Sequence, residues 1–307
     1  MKKALIIGLS GNFGSQMAKS LKNRGWEISA LMRNPDKAPA WIESDEIIIG
    51  DATNKQQVLK ASQHCDVIIF AASPAYHRWQ QDLMGLLEPA VQAAEQLGIR
   101  ILLPGNVYNY QPNLIMIDEQ TTQAPITDKG ELRVRVEQRL LDATKKGAKV
   151  TIIRAGDFLG ENTHLSWLNF MLKKKGTGYR ISFPHNQQHI HQWAYLPDLC
   201  ANAVLLLEQA GDDFETWHDP GLKLQSQDWL DAFSTNKLTM QLGRFPWWLY
   251  KMLAYVNPTL KEIIKMNYLW RDNVLLNGDA MQQKLGEQLV STPFTSVIEN
   301  ILINNKH

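Results

Sequence analysis

Short apolar runs recur along the first half of the chain, at 4–7, 28–32, 47–49, 67–71, 101–103 and 150–153. Stretches of helical period fill the gaps, near 13–23, 54–63, 80–97 and 128–145. A strand buried on both faces reads as an unbroken apolar run, whereas a helix lying on a sheet carries an apolar stripe about every three to four residues. Their alternation predicts an α/β fold, a doubly wound parallel sheet with helices on both faces. After Gly156 the pattern turns irregular and aromatic, with seven tryptophans between 167 and 270. We therefore expect a core at 1–156 and a smaller, mostly C-terminal lobe at 157–307, with 190–210, including a helix near 197–209, returning to the core. The stretch 245–270 is rich in aromatics but broken by Lys251, Lys261, Glu262 and Lys265, and reads as lobe core rather than as a membrane-surface helix.

Composition narrows the classes. The chain has 307 residues, 44% hydrophobic and 21% charged, with a formal net charge of +1. That balance gives no reason to expect nucleic acid or a membrane as partner. Lys2 and Lys3 before an apolar run imitate a secretion signal, but the run stops at Gly8, too short for one, and suits a first strand. Cys65 and Cys200 make no disulfide framework and read as buried small residues in a reduced, cytoplasmic setting.

The chemistry begins at the end of the first strand. Gly8, Gly11 and Gly14 are spaced G-x-x-G-x-x-G between a strand and a helix, with Ser10, Asn12 and Phe13 completing the loop. The first glycine permits a tight turn, the second lets backbone approach a pyrophosphate, and the third lets helix and strand pack closely. This is the dinucleotide-binding arrangement of a Rossmann fold. Where NAD enzymes keep an acid on the next strand to hold the ribose hydroxyls, this chain has Arg33, with Lys37 nearby. A guanidinium suits a 2′-phosphate, so NADP(H) is expected in preference to NAD(H). Asp51 and Ala52 follow the third strand, where the carboxylate suits the adenine amino group; Ala71, Ala72 and Ser73 follow the fourth and leave room for the cofactor.

As a set, the loop from Gly8 to Gly14, Gly50-Asp51, Ala71-Ala72, Val107-Tyr108, Arg154-Ala155-Gly156 and Tyr195-Leu196-Pro197-Asp198 resembles the extended and atypical short-chain dehydrogenases/reductases, many of them NAD-dependent epimerase/dehydratase-like. The resemblance covers most of 1–210 and implies a Rossmann core with a smaller C-terminal substrate lobe. Catalytic members carry a Ser or Thr after the fifth strand and Tyr-x-x-x-Lys on the next helix. Here those positions hold Pro104, Lys129 and Arg133. The sequence Lys129-x-x-x-Arg133-x-x-x-Glu137 is similar to the helix of isoflavone-reductase-like and phenylcoumaran-ether-reductase-like enzymes, whose lysine serves as acid/base. The spacing lays the three side chains along one helix face, and Arg133, a like charge one turn away, would ease proton release from Lys129. The plain alternative is a surface Arg133–Glu137 pair beside a solvated lysine.

Ligands of open α/β sheets gather at the carboxyl ends of strands. Tyr76 and His77 follow the fourth, Asn106 and Tyr108 the fifth, and Phe158 the sixth; His191 and Trp193 precede the helix at 197. These are the expected substrate contacts, with Tyr108 a second candidate donor. His189 and His191 would face one way on a strand, but no carboxylate or cysteine cluster joins the segment 185–191, and no metal is expected. The reading is an NADPH-dependent oxidoreductase acting on a small organic molecule, a monomer or homodimer, with Lys129 as proton donor. The rival is a non-catalytic NADP-binding sensor or assembly factor; a nucleotide-sugar epimerase or dehydratase is disfavoured by the missing Ser-Tyr-Lys set.

Overall fold

The computed structural model describes every residue except 113–115, 162, 164, 165, 185–188, 210 and 303–307. The six apolar runs fold as strands β1 Lys3–Ile7, β2 Glu27–Met32, β3 Ile47–Ile49, β4 Val67–Phe70, β5 Arg100–Gly105 and β6 Lys149–Arg154. Between them lie helices α1 Asn12–Asn23, α2 Lys55–Ser62, α3 Trp79–Leu97 and α4 Asp128–Thr144. Further strands follow as β7 Asp157–Leu159, β8 Leu172–Lys175, β9 Gly178–Phe183, β10 His191–Tyr195, β11 Phe214–His218, β12 Leu222–Leu224 and β13 Met240–Arg244. The remaining helices are α5 Trp167–Met171, α6 Leu196–Glu208, α7 Ser226–Thr235, α8 Trp247–Leu253, α9 Pro258–Lys265, α10 Asp279–Leu285 and α11 Phe294–Leu302.

The main sheet runs β11-β6-β5-β4-β1-β2-β3, and all its pairings are parallel. Alternation along each strand divides the core. Ala4, Ile6, Val67 and Ile69 point to α1 and α6. Leu5, Ile7, Ile68 and Phe70 point to α2, α3 and α4. Each of the valine, leucine, isoleucine and phenylalanine side chains among them, fully buried, contributes roughly 1.5–3 kcal/mol. The strand order reverses between β1 and β4, opening a crevice at their carboxyl ends.

The later chain returns to this core three times. Helix α6 packs Leu199 and Ala203 with Met17 and Ala18 of α1, strand β11 extends the sheet beside β6, and α10 adds Met281 and Leu285 under α6. The rest forms two three-stranded sheets, β12-β10-β7 and β13-β9-β8, around an aromatic core of Trp193, Trp229, Phe233 and Trp270. Trp193 and Trp229 meet edge to face at 5.7 Å, the arrangement that ring quadrupoles favour. The stretch 245–270 divides: Trp270 is buried and Phe245 and Trp247 pack on the lobe core, whereas Trp248, Met252, Tyr255 and Val256 are exposed. Among the described residues no helix is long and apolar enough to cross a membrane.

Candidate functional site

Strand β1 delivers the chain to Gly8, which turns at φ +103° and lies so close to the loop after β4 that a Cβ would meet the Ala72 amide at 2.5 Å. A Cβ on Gly14 would sit 2.2 Å from the Gly8 carbonyl oxygen, so helix and strand approach only because neither residue has a side chain. Gly11 precedes α1, and its missing side chain leaves open space, the nearest atom to an added Cβ being Gly8 O at 3.4 Å. The helix has no side-chain cap and no acid in its first turn, so its positive end suits an anion. This cradle fits a dinucleotide pyrophosphate. Arg33 and Lys37 are exposed beyond β2. Asp51 accepts bonds from the Thr53 amide and hydroxyl, both 2.9 Å, which hold its carboxyl below the usual range, helped by the Arg33 charge.

A cavity of about 680 Å³ runs from this loop, past Ala71, Ala72 and Ser73, to a floor formed by Tyr76, Asn106, Tyr108, Arg133, Asp157 and Phe158. That is the size of cofactor and small-molecule sites. Phe158 stacks on Phe13 of the loop at 6.2 Å. Asn106 holds the Tyr108 segment by accepting its amide at 3.1 Å, and the Tyr76 hydroxyl donates to the Tyr108 hydroxyl at 2.9 Å. Burial, then the negative charge of Asp157, pushes Tyr108 up to about 12. Burial and the Tyr108 partner raise Tyr76 well above its ordinary value. Both phenols therefore keep their protons at neutral pH.

On α4, Lys129, Arg133 and Glu137 do share a face, but all three are buried, and the plain alternative of a solvated lysine beside a surface pair does not hold. Arg133 lines the cavity, donates to the Pro104 carbonyl at 2.6 Å, and has an Nε without a partner among the described residues. Glu137 is paired with Arg154 at 2.8 Å, not with Arg133, and also accepts from Gln123 at 2.7 Å. Burial alone would push Glu137 up; the charge and bond of Arg154, with the Arg133 charge and the Gln123 bond, together outweigh it and hold the carboxyl low. Arg154 also donates to the Asn106 carbonyl at 2.6 Å, tying this network to the cavity floor. Lys129 does not line the cavity. Its ammonium pairs with Glu262 of α9 and lies 4.7 Å from the centre of the Tyr76 ring.

Other expected substrate residues lie farther off. His77 is exposed and bonded to Thr259 at 2.9 Å. Trp193 faces the lobe core, because the alternation of β10 turns Trp193 and Tyr195 inward. His191 stands behind the wall, bonded at 2.7 Å to Asp157, which does line the cavity, and stacked on Trp270 at 3.7 Å. His189 is buried beside His191, and 185–188 lie outside the described residues. Residues that the sequence reading did not single out complete the wall: Trp79, Asp157, Phe170, Thr259, Ile263 and Met266. Asp157 had a legible signal, next to Phe158 after the sixth strand. Thr259 to Met266 had none, since α9 reaches the site only through packing.

Residues 8–169 match the NAD(P)H-binding family. The chain belongs to that family. Its glycine loop and the order of its main sheet agree with the resemblance to atypical short-chain dehydrogenases/reductases read from the sequence. A stretch of 59 residues is 34% identical to the 3-diazoavenalumate denitrifying reductase of a Streptomyces species, covering 19% of this chain and 18% of that protein. Among solved structures, UDP-N-acetylglucosamine 4-epimerase from Bacillus cereus superposes with a TM-score of 0.73 at 15% identity over 100% of both chains. UDP-glucose 4-epimerase from Thermus thermophilus, in complex with NAD, gives 0.67 at 14% identity over 99% of this chain and 98% of its own. At these identities the likeness is one of fold.

Proposed function

We propose that this chain is an NADPH-dependent reductase of a small, partly apolar organic substrate, with Tyr108 as proton donor. The observation that carries the reading is the Tyr76–Tyr108 hydroxyl pair in the wall of the cavity that leads from the glycine loop. Nicotinamide, when bound, supplies hydride. Tyr108 holds a proton that burial keeps on the oxygen, and releases it when negative charge develops on a substrate atom beside it. The Tyr76 hydroxyl, already donating to Tyr108, stabilises the phenolate left there until a proton from solvent restores it. Arg133 stands where the superfamily keeps its ribose-binding lysine, and its unpartnered Nε suits the same ribose hydroxyls. Arg33 favours the 2′-phosphate. Apolar and aromatic walls, with Trp79, Phe158, Phe170 and Met266, suit an apolar substrate body.

Lys129, the donor expected from the sequence, is screened from the cavity by its own ion pair, which is why Tyr108 takes precedence. That same pairing is what a non-catalytic, NADP-binding role would draw on. Screening enones, quinones, aldehydes and benzylic ethers for NADPH oxidation separates the two. Tyr108→Phe should retain cofactor affinity and lower turnover by about a hundredfold to ten-thousandfold. Unchanged turnover would remove Tyr108 as donor, and tight NADPH binding without turnover on any substrate would favour the non-catalytic role.

A further inference from the structure

A net charge of +1 conceals a local asymmetry. Neither 162–197 nor 232–261 contains an Asp or Glu, yet these stretches carry Lys173, Lys174, Lys175, Arg180, Arg244 and Lys251. The fold joins them. Strands β8, β9 and β13 form one sheet in which Lys173 pairs in register with Arg180, and Arg180 with Gln241. Strand β13 ends at Arg244 and leads directly into α8. These six side chains are exposed, as are Lys237 and Lys261 of the same stretches.

Beside this basic sheet, α8 and the turn to α9 present apolar side chains to solvent. Trp248 is 70% exposed, Tyr255 92% and Val256 83%, with Met252 and Leu253 between them. Isolated exposed apolar residues are ordinary, but a contiguous group with Trp and Tyr at its edges is the composition of a bilayer interface. The other side of α8 is anchored: Tyr250 stacks on Phe245 at 5.0 Å and meets Phe170, a cavity residue, at 5.9 Å. The exposed group is thus held out by a fixed base rather than by a loose end. Helix α9 continues from it, and its Thr259 and Ile263 line the cavity.

We propose that the α8–α9 tip docks this protein on an anionic bilayer surface, with Trp248, Met252, Tyr255 and Val256 entering the interface and the basic face of β8 and β9 drawn to the headgroups. The charge decides between occupants. A second copy would set these cationic stretches against like-charged ones if the contact were isologous, whereas an anionic surface complements them. The docked tip sits at the segment that walls the cavity, so an apolar compound dissolved in the bilayer would be presented next to the site.

Vesicle flotation of the full chain tests this without reference to any reaction. Vesicles of phosphatidylcholine with about 30% phosphatidylglycerol should bind at least tenfold better than pure phosphatidylcholine, and salt should weaken that binding. Trp248→Ser with Tyr255→Ser should lower binding to the anionic vesicles at least tenfold, and Lys173→Gln with Lys175→Gln, which share one face of β8, should reduce the preference for them. Both pairs are exposed, so melting temperatures should stay within about 2 °C of the parent, showing an intact fold. Failure of the parent to float at low salt overturns the proposal. So does flotation unaffected by the Trp248/Tyr255 pair, or a non-floating parent that sediments as a dimer and is made monomeric by that pair.

Discussion

Arg154→Met removes the guanidinium at the centre of the polar network under the cavity. Arg154 is 1% exposed and makes two charge-assisted bonds, to Glu137 at 2.8 Å and to the Asn106 carbonyl at 2.6 Å, with its guanidinium 5.1 Å from the Tyr110 ring centre. Methionine keeps much of the volume but leaves the Glu137 carboxylate buried with Gln123 as its remaining bonded partner. Breaking a buried pair from one side costs about 3–5 kcal/mol, whereas replacing both members by apolar groups is often neutral. Arg154→Met should therefore lower stability by that amount in urea unfolding near neutral pH, and adding Glu137→Leu should restore at least about 2 kcal/mol of it. The pH dependence has a definite sign. Glu137 is held below its unfolded value, so it contributes stability above the usual carboxylate range and loses it as pH falls through the lowered folded value. In Arg154→Met, burial is opposed only by the Arg133 charge and the Gln123 bond, so Glu137 takes up a proton more readily and the penalty of the substitution should shrink as pH is lowered below neutral. A cost below about 1 kcal/mol at neutral pH, with no recovery in the double variant, would refute the network as drawn.

Arg33→Glu should weaken NADPH binding at least tenfold relative to NADH, about 1.4 kcal/mol, by fluorescence titration; an equal change for both cofactors would exclude Arg33 from phosphate selection. Gly11→Val should abolish cofactor binding while the fold melts normally, because the added Cβ meets nothing closer than 3.4 Å, whereas Gly14→Ala should lower the melting temperature as well, its Cβ falling 2.2 Å from Gly8 O. Lys129→Ala should cost far less turnover than Tyr108→Phe; equal losses of about a hundredfold or more would return the proton to the lysine.

The core was legible because its signals are local. Apolar runs placed β1 to β6 within about two residues, since strands buried on both faces have little freedom in composition. The glycine loop was legible because Gly8 and Gly14 each meet a backbone atom that no side chain could clear. Strand β11 was not, because Phe214 to His218 are only partly apolar and join the sheet as its edge beside β6. The fate of Lys129 was not legible either. Spacing put it on the right face of α4, but its partner Glu262 is 133 residues away and reaches it only through the packing of α9. Trp193 was misplaced for a similar reason: its nearness to a pocket-forming turn was readable, the direction it faces on β10 was not.

The loss of the superfamily's Ser-Tyr-Lys set changes where proton chemistry can reside. In relatives that keep the set, β5 and α4 present the hydroxyls and the cation. Here β5 offers Pro104, which has no donor at all, and α4 offers Arg133, a guanidinium that does not readily give up a proton. The side-chain hydroxyls that the tyrosines bring to the floor come from elsewhere, Tyr76 after β4 and Tyr108 after β5. The Tyr108 segment is braced by groups on the sheet and helix: Asn106 bonds the Tyr108 amide, Arg154 fixes the Asn106 carbonyl, and Glu137 fixes Arg154. On the function proposed above, the helix that carries the acid in related enzymes supports an acid carried on a loop: Arg133 bonds the Pro104 carbonyl, and Glu137 acts through Arg154 on the Asn106 carbonyl.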